Sequence, residues 1–311
     1  MDITSVFTSI GMMGIVVCFG VLIGRKLEIT QEAKQLLMMI IVNVAVPAII
    51  LNGVFNTDIT DALLGNMIAI FFISIALNLT ALGLCLGFAY LLGFRSIEAK
   101  KFAILAGLGN SGFIGIPLCA QLFGPIGGLL AAIFDAGLDV VVFSIVIMML
   151  QHGKGFSIRN FKALINIPFC AIIIGLTIAM VGFEPPTIAK NLASFLSSTA
   201  APLAMIYIGL LIPDFFRKRK KIPLKFLSNA LVMKLLIFPL IMIAIFHSLP
   251  LTVLIKEVLF VLVAMPTVML APVLLSRYAN DEDTGVMTTV YSTLFSLLTI
   301  PIILYIASFL L

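Results

Sequence analysis

The sequence predicts an all-α polytopic membrane protein of ten transmembrane helices, set out as two five-helix halves with two of the helices broken. Three observations predict it. Of 311 residues, 62% are hydrophobic and 11% charged, with a mean hydropathy of +1.24, a balance foreign to soluble domains. Apolar runs of about 20 residues recur from end to end, the length a helix needs to cross hydrocarbon. Most of the 19 Lys and Arg residues fall in alternate short loops, as the positive-inside rule requires.

The runs lie at roughly 5–24, 34–54, 65–92, 101–122, 127–151, 165–182, 190–212, 225–247, 253–276 and 285–310 by hydrophobic patterning. The first follows Met1-Asp2 with no basic n-region, and its basic residues, Arg25 and Lys26, come after it. That order predicts a retained span with an outward N-terminus, not a cleaved signal peptide. Inside loops carry Arg25, Lys26 and Lys34; Arg95, Lys100 and Lys101; Lys154, Arg159 and Lys162; Arg217 to Lys221 and Lys225; and Arg277. Lys190 and Lys256 fall outside, and Lys234 lies within a span. The bias predicts both termini outside and an even number of spans. The net charge of +5 therefore sets topology; the partner it implies is a lipid bilayer, and no nucleic acid is expected.

Five spans on each side of the 152–164 loop enter the membrane from opposite faces, so a duplicated half must be inverted. The expected domains are a first repeat over 1–151, a cytoplasmic linker over 152–164 and a second repeat over 165–311. Pro47 and Pro202 are separated by as many residues as Pro117 and Pro272, a weak internal echo that agrees with duplication.

Span four is built to break. Gly107, Gly109, Gly112 and Gly115 weaken the helix, Pro117 lacks a bonding N–H, and Asn110 and Ser111 add polar side chains. Span nine contains Met265-Pro266-Thr267 and a second proline, Pro272. In hydrocarbon, irregular backbone survives only where protein or a wet cavity surrounds it, and discontinuous helices are where secondary transporters hold substrate. If the broken spans cross, the electropositive half-helix N-termini and the Asn110 amide would suit a carboxylate. The alternative is close packing of a glycine-rich helix on its neighbours.

The sequence also resembles a known family. Asn110-Ser-Gly-Phe-Ile-Gly115-Ile116-Pro117-Leu118 is similar to the span-four signature of the auxin efflux carrier family. Met265-Pro266 followed by Tyr278 and Asp281 is similar to its span-nine signature, and Asn43-Val-Ala-Val-Pro47-Ala to its span-two element. Ser292-Thr-Leu-Phe-Ser296-Leu before Pro301 resembles the last span. The resemblance implies an inverted repeat with crossed broken helices 4 and 9. It implies a transport bundle of spans three to five and eight to ten moving against a scaffold of spans one, two, six and seven, and a homodimer. It implies export or import of organic anions: auxins in plants, and in bacteria carboxylates such as malonate or malate. The short central loop resembles the compact microbial type, with a bacterial inner (plasma) membrane as the expected location. Span three offers Asn78 and no carboxylate, which points away from auxin itself.

Substrate-binding candidates are therefore Asn110, Ser111, Gly112, Gly115, Pro117, Met265, Pro266 and Thr267, with Asn43 one turn before Pro47. Asp135 and Asp139 share a helix face at i and i+4 within span five. Charges at such depth face a cavity or a partner. Two readings stay open: a proton or cation relay, or an ion pair with Lys234, which could alternatively attract the anion. The first would make the protein a proton–cation antiporter. Asn52, Asn78, Ser292, Thr293 and Ser296 are read as inter-helix hydrogen bonders. Cys18, Cys85, Cys119 and Cys170 stand singly, and His152 and His247 have no partner pattern, so no metal and no cofactor are expected. No Ser-His-Asp order, phosphate-binding loop or paired glycosidase carboxylates give enzyme activity a foothold.

Overall fold

The computed structural model describes residues 3–94, 96–151, 165–217 and 224–309. The expected linker over 152–164, with His152, Lys154, Arg159 and Lys162, lies outside the described residues, as do Arg95 and Lys218 to Lys221. Among the described residues the regular structure is helical: α1 (Ile3–Lys26), α2 (Gln31–Phe55), α3 (Asp61–Leu91), α4 (Ile97–Gly107), α5 (Ser111–Leu150) and α6 (Ile167–Met180). There follow α7 (Thr187–Ser197), α8 (Ala200–Arg217), α9 (Leu224–Ser248), α10 (Val253–Val263), α11 (Ala271–Ala279) and α12 (Glu282–Ser308).

Among the described residues six stretches are long and apolar enough to cross a bilayer: α2, α3, α5, Thr187–Pro213, α9 and α12; α6 is apolar but shorter. At spans four and nine, which the sequence predicts to be broken, the chain forms separate helices on either side of a break. For span four the flanking helices are α4 and the start of α5; for span nine they are α10 and α11. The break in span four is not at Pro117, which the helix passes through. It is at Leu108–Asn110, where Leu108 turns extended (φ −89°, ψ 136°). A second interruption sits at Gly124 (φ 68°, ψ −162°) ahead of Pro125. A residue before proline is driven from the helical region, and positive φ costs glycine little.

Pro117 is accommodated by a local widening. Among the described residues four turns are π-type: Ile41–Ala45 in α2, Ser111–Gly115 and Val142–Val146 in α5, and Met233–Ile237 in α9. Three of them end two residues ahead of a proline: Pro47, Pro117 and Pro239. A proline ring removes one N–H and crowds the carbonyl four residues back. A turn closed over five residues has already shifted the ladder at that carbonyl, so the helix continues. Such turns recur at functional positions, and here they contain Asn43, Ser111, Gly112, Gly115 and Lys234.

The chain divides into two compact units. The first comprises Met1–Ile70, Ser111–Asp135 and Ile165–Lys218. Its most extensive helix contact is α1 on α8, and there the backbones nearly touch. A Cβ built on Gly20 would lie 2.4 Å from the Ile206 carbonyl oxygen, and one on Gly209 only 2.3 Å from that of Val17. Small residues at helix contacts are how bundles gain dispersion energy when lipid offers no hydrophobic drive. Gly53 and Gly128 do the same between α2 and α5, against Leu129 and Ile49.

The second unit comprises Phe71–Asn110, Ala136–Leu164 and Arg219–Leu311. Its core includes the fully buried Phe102, whose ring lies 5.7 Å from Phe94 and 5.6 Å from Phe226. Pairs at such distances add about 0.5–1.5 kcal/mol each beyond area burial. At one end of this unit Lys101 of α4 bonds Asp281 at 2.5 Å. Asp281 also accepts from the Thr284 N–H at 3.2 Å, capping α12. Asn280 supplies the left-handed residue (φ 49°) that ends α11.

Partial burial opposes ionisation of Asp281, but the hydrogen bonds from Lys101 and Thr284 and the Lys101 charge outweigh it, holding its carboxyl below the usual carboxylate range. A depressed carboxylate stabilises the fold fully above its unfolded pKa of about 3.9 and loses that contribution as pH falls through the folded value. Lys101→Met is therefore expected to lower the melting temperature at pH 7, with the gap to wild type closing below about pH 4. Thermal scans across pH would check this; a gap independent of pH would contradict it.

Candidate functional site

The two breaks meet inside the second unit. Gly109 and Thr267 face each other in an isolated antiparallel bridge. The Asn110 N–H donates to the Pro266 carbonyl at 2.7 Å, and the Val268 N–H donates to the Leu108 carbonyl at 3.1 Å. Two stretches too irregular for a helix thus satisfy each other's backbone, as a buried main chain must. Asn110, Met265, Pro266 and Thr267 are all buried there.

Thr267 is the pin of the crossing. Its hydroxyl donates to the Leu105 carbonyl at 2.8 Å, in the last turn of α4. Its N–H donates to the Ser292 hydroxyl of α12 at 3.1 Å, which in turn donates to the Thr289 carbonyl at 3.0 Å. Lys234, 1% exposed, reaches the same helix end from the wide turn of α9. Its ammonium lies 3.4 Å from the Gly107 carbonyl oxygen and 5.4 Å from the centre of the Phe238 ring.

Other candidates belong to the first unit. Ser111, 1% exposed, donates to Asp135 Oδ1 at 2.6 Å. The Asp135 carboxylate also lies against Gly112, where a Cβ would fall 2.8 Å from Oδ2, so that position must be glycine for the carboxylate to approach. Gly115 is buried in the same wide turn. Pro117 lines a cavity of about 350 Å3 with Asn52, Gln121, Pro125, Ser198 and Pro202. Asn43 stands exposed on α2. Among the described residues no His, Cys, Asp and Glu cluster could hold a metal ion.

Comparison with known proteins agrees in kind with this arrangement. Residues 156–304 match the model of a family described as "Membrane transport protein", a stretch that includes the second break. An uncharacterized transporter of Methanothermobacter thermautotrophicus is 27% identical over 91% of this chain and 93% of its own. An uncharacterized transporter of Methanocaldococcus jannaschii is 28% identical over 69% of this chain and 72% of its own. These matches support the resemblance to the auxin efflux carrier family. The chain is a multi-pass membrane transporter, and the names of the matched family and relatives indicate no enzyme.

In this transporter the sequence-derived candidates divide between the units. Asn110, Met265, Pro266, Thr267, Lys234 and Asp139 lie in the second, and Ser111, Gly112, Gly115, Pro117, Asp135 and Asn43 in the first. Several in-span polar residues bond within their own helix instead of across helices. Asn78 donates to Ser74, Thr293 to the Thr289 carbonyl and Ser296 to the Thr293 carbonyl. Ser292 alone of this group is seen to do both, because the chain break brings Thr267 to it. Sequence reasoning missed Gly109 as the site of the bridge and the Lys101–Asp281 pair. Glycine opposite threonine carries no readable signature, and charges 180 residues apart are joined only by the fold.

Proposed function

We propose that this carrier moves small organic anions, carboxylates such as malonate or malate, by elevator-type alternating access. The observation that supports it is the bonded crossing of the two breaks, Asn110 to Pro266 at 2.7 Å. It leaves short half-helices around a buried polar centre, the architecture in which transporters bind charged substrate. The Asn110 carboxamide and the backbone of Met265 to Thr267 are the proposed anion contacts. Loop charge supports both termini outside, and the family resemblance supports a homodimer with the transport bundle moving on a scaffold. Proton coupling through Asp135, which accepts from Ser111, is the proposed driving step.

A proton–cation antiporter built on Asp135, Asp139 and Lys234 is the competing reading, supported by a carboxylate and an ammonium set deep in apolar helices. Proteoliposomes separate the two. Labelled malonate or malate should enter against unlabelled buffer and faster with an inward proton gradient, with indole-3-acetate the weaker substrate. Sodium-driven proton movement in the absence of any organic anion would favour the antiporter, and no anion uptake across the panel would end the anion reading.

A further inference from the structure

A helix leaves its last carbonyls without intrahelical donors, and its dipole makes that end electronegative. At the end of α4, Ile104 accepts from the Leu108 N–H at 3.2 Å, Leu105 from the Thr267 hydroxyl at 2.8 Å, and Gly107 from the Lys234 ammonium at 3.4 Å. The ammonium therefore faces the buried negative end of a half-helix. Its surroundings fit a cation on the other sides too. The Phe238 ring, 5.4 Å from centroid to Nζ, offers its electron-rich face. The bridge residue is glycine, and a Cβ there would stand only 3.3 Å from Nζ. The backbone passes this close because no side chain is in the way.

In broken-helix transporters, unwound carbonyls and half-helix C-terminal ends commonly hold a sodium ion or proton. We propose that the Lys234 ammonium is the resident cation of this crossing, holding the end of α4 as a bound sodium ion would, so that the carrier binds its anion without a co-bound metal cation. The proposal rests on the transport reading for the anion, but its first test reads stability and needs no substrate.

The full chain in detergent contains no tryptophan, so unfolding is followed by reaction of a thiol dye with the buried Cys85 and Cys119. The wild-type midpoint should be the same in sodium chloride and choline chloride at equal ionic strength. Lys234→Ala should fall by about 5 °C or more and be raised again, saturably, by methylammonium but not by the bulkier choline. Saturable stabilisation of the wild type by sodium overturns the proposal, as does a Lys234→Ala protein indifferent to methylammonium. If Lys234→Ala does not fold, Gly109→Ala serves, since its methyl group presses on the ammonium. Its midpoint must fall while Gly83→Ala, with nothing within 4 Å, stays near wild type; an unchanged Gly109→Ala overturns the proposal. Malonate uptake that requires sodium would overturn this proposal and leave the transport reading standing. Sodium-indifferent stability with the methylammonium response, but no uptake of any anion, would do the reverse.

Discussion

Asn110→Ala is expected to cut malonate uptake into proteoliposomes by about tenfold or more while leaving the protein folded. The reasoning separates the backbone of this residue from its side chain. The bond that joins the two breaks uses the Asn110 main-chain N–H, which alanine keeps, so the crossing should survive. What is lost is the carboxamide of a residue only 4% exposed, and a hydrogen bond to a charged ligand is worth about 1.5–3 kcal/mol. That corresponds to about ten- to 150-fold in binding. A melting temperature close to wild type with lost uptake is the expected pair of results. Unchanged uptake would remove Asn110 from the site, and unfolding would show that its side chain holds the crossing together.

Gly209→Leu should have the largest effect on stability. The Cβ alone would sit 2.3 Å from the Val17 carbonyl oxygen and 2.7 Å from the Gly20 Cα. Both are backbone atoms, so relief requires α1 and α8 to separate and not merely a rotamer change. Overpacking a core costs about 1–3 kcal/mol where side chains can yield, and here the cost should lie at or above that range. Thermal scans or size-exclusion profiles in detergent should show a strongly destabilised or unfolded protein. The control is Gly11→Leu, an exposed position on α1 with nothing within 4 Å. Replacing glycine there should be neutral or slightly stabilising, by at most about 1 kcal/mol. Equal melting temperatures for both variants would show that the α1–α8 contact is not tight.

Much of this was legible in the residues. Apolar runs located the helices, and four glycines with two span-nine prolines announced the breaks, because helix propensity is a local property. The exact place of a break was not. Pro117 looks like the interruption, yet the chain opens at Leu108–Asn110 because partners for the freed backbone, Pro266 and Val268, are available there. The wide turns were hidden as well, since closing a turn over five residues instead of four changes hydrogen-bond register and not composition. Lys234 was recognisable as a buried cation, but its acceptance by a helix-end carbonyl depends on where α4 stops. Gly20 and Gly209 reveal their role only once α1 and α8 are laid together.

The pairing of wide turns with Pro47, Pro117 and Pro239 has a consequence for chain length. Each widened turn holds one residue more than the ladder around it needs, an insertion that the downstream proline makes useful. Neither can be discarded alone: deleting the extra residue would drive the ring into a carbonyl, and replacing the proline would leave a bulge with no purpose. Homologous chains that have lost one of these prolines should therefore be one residue shorter at that point, with the side chains beyond it still facing the same way.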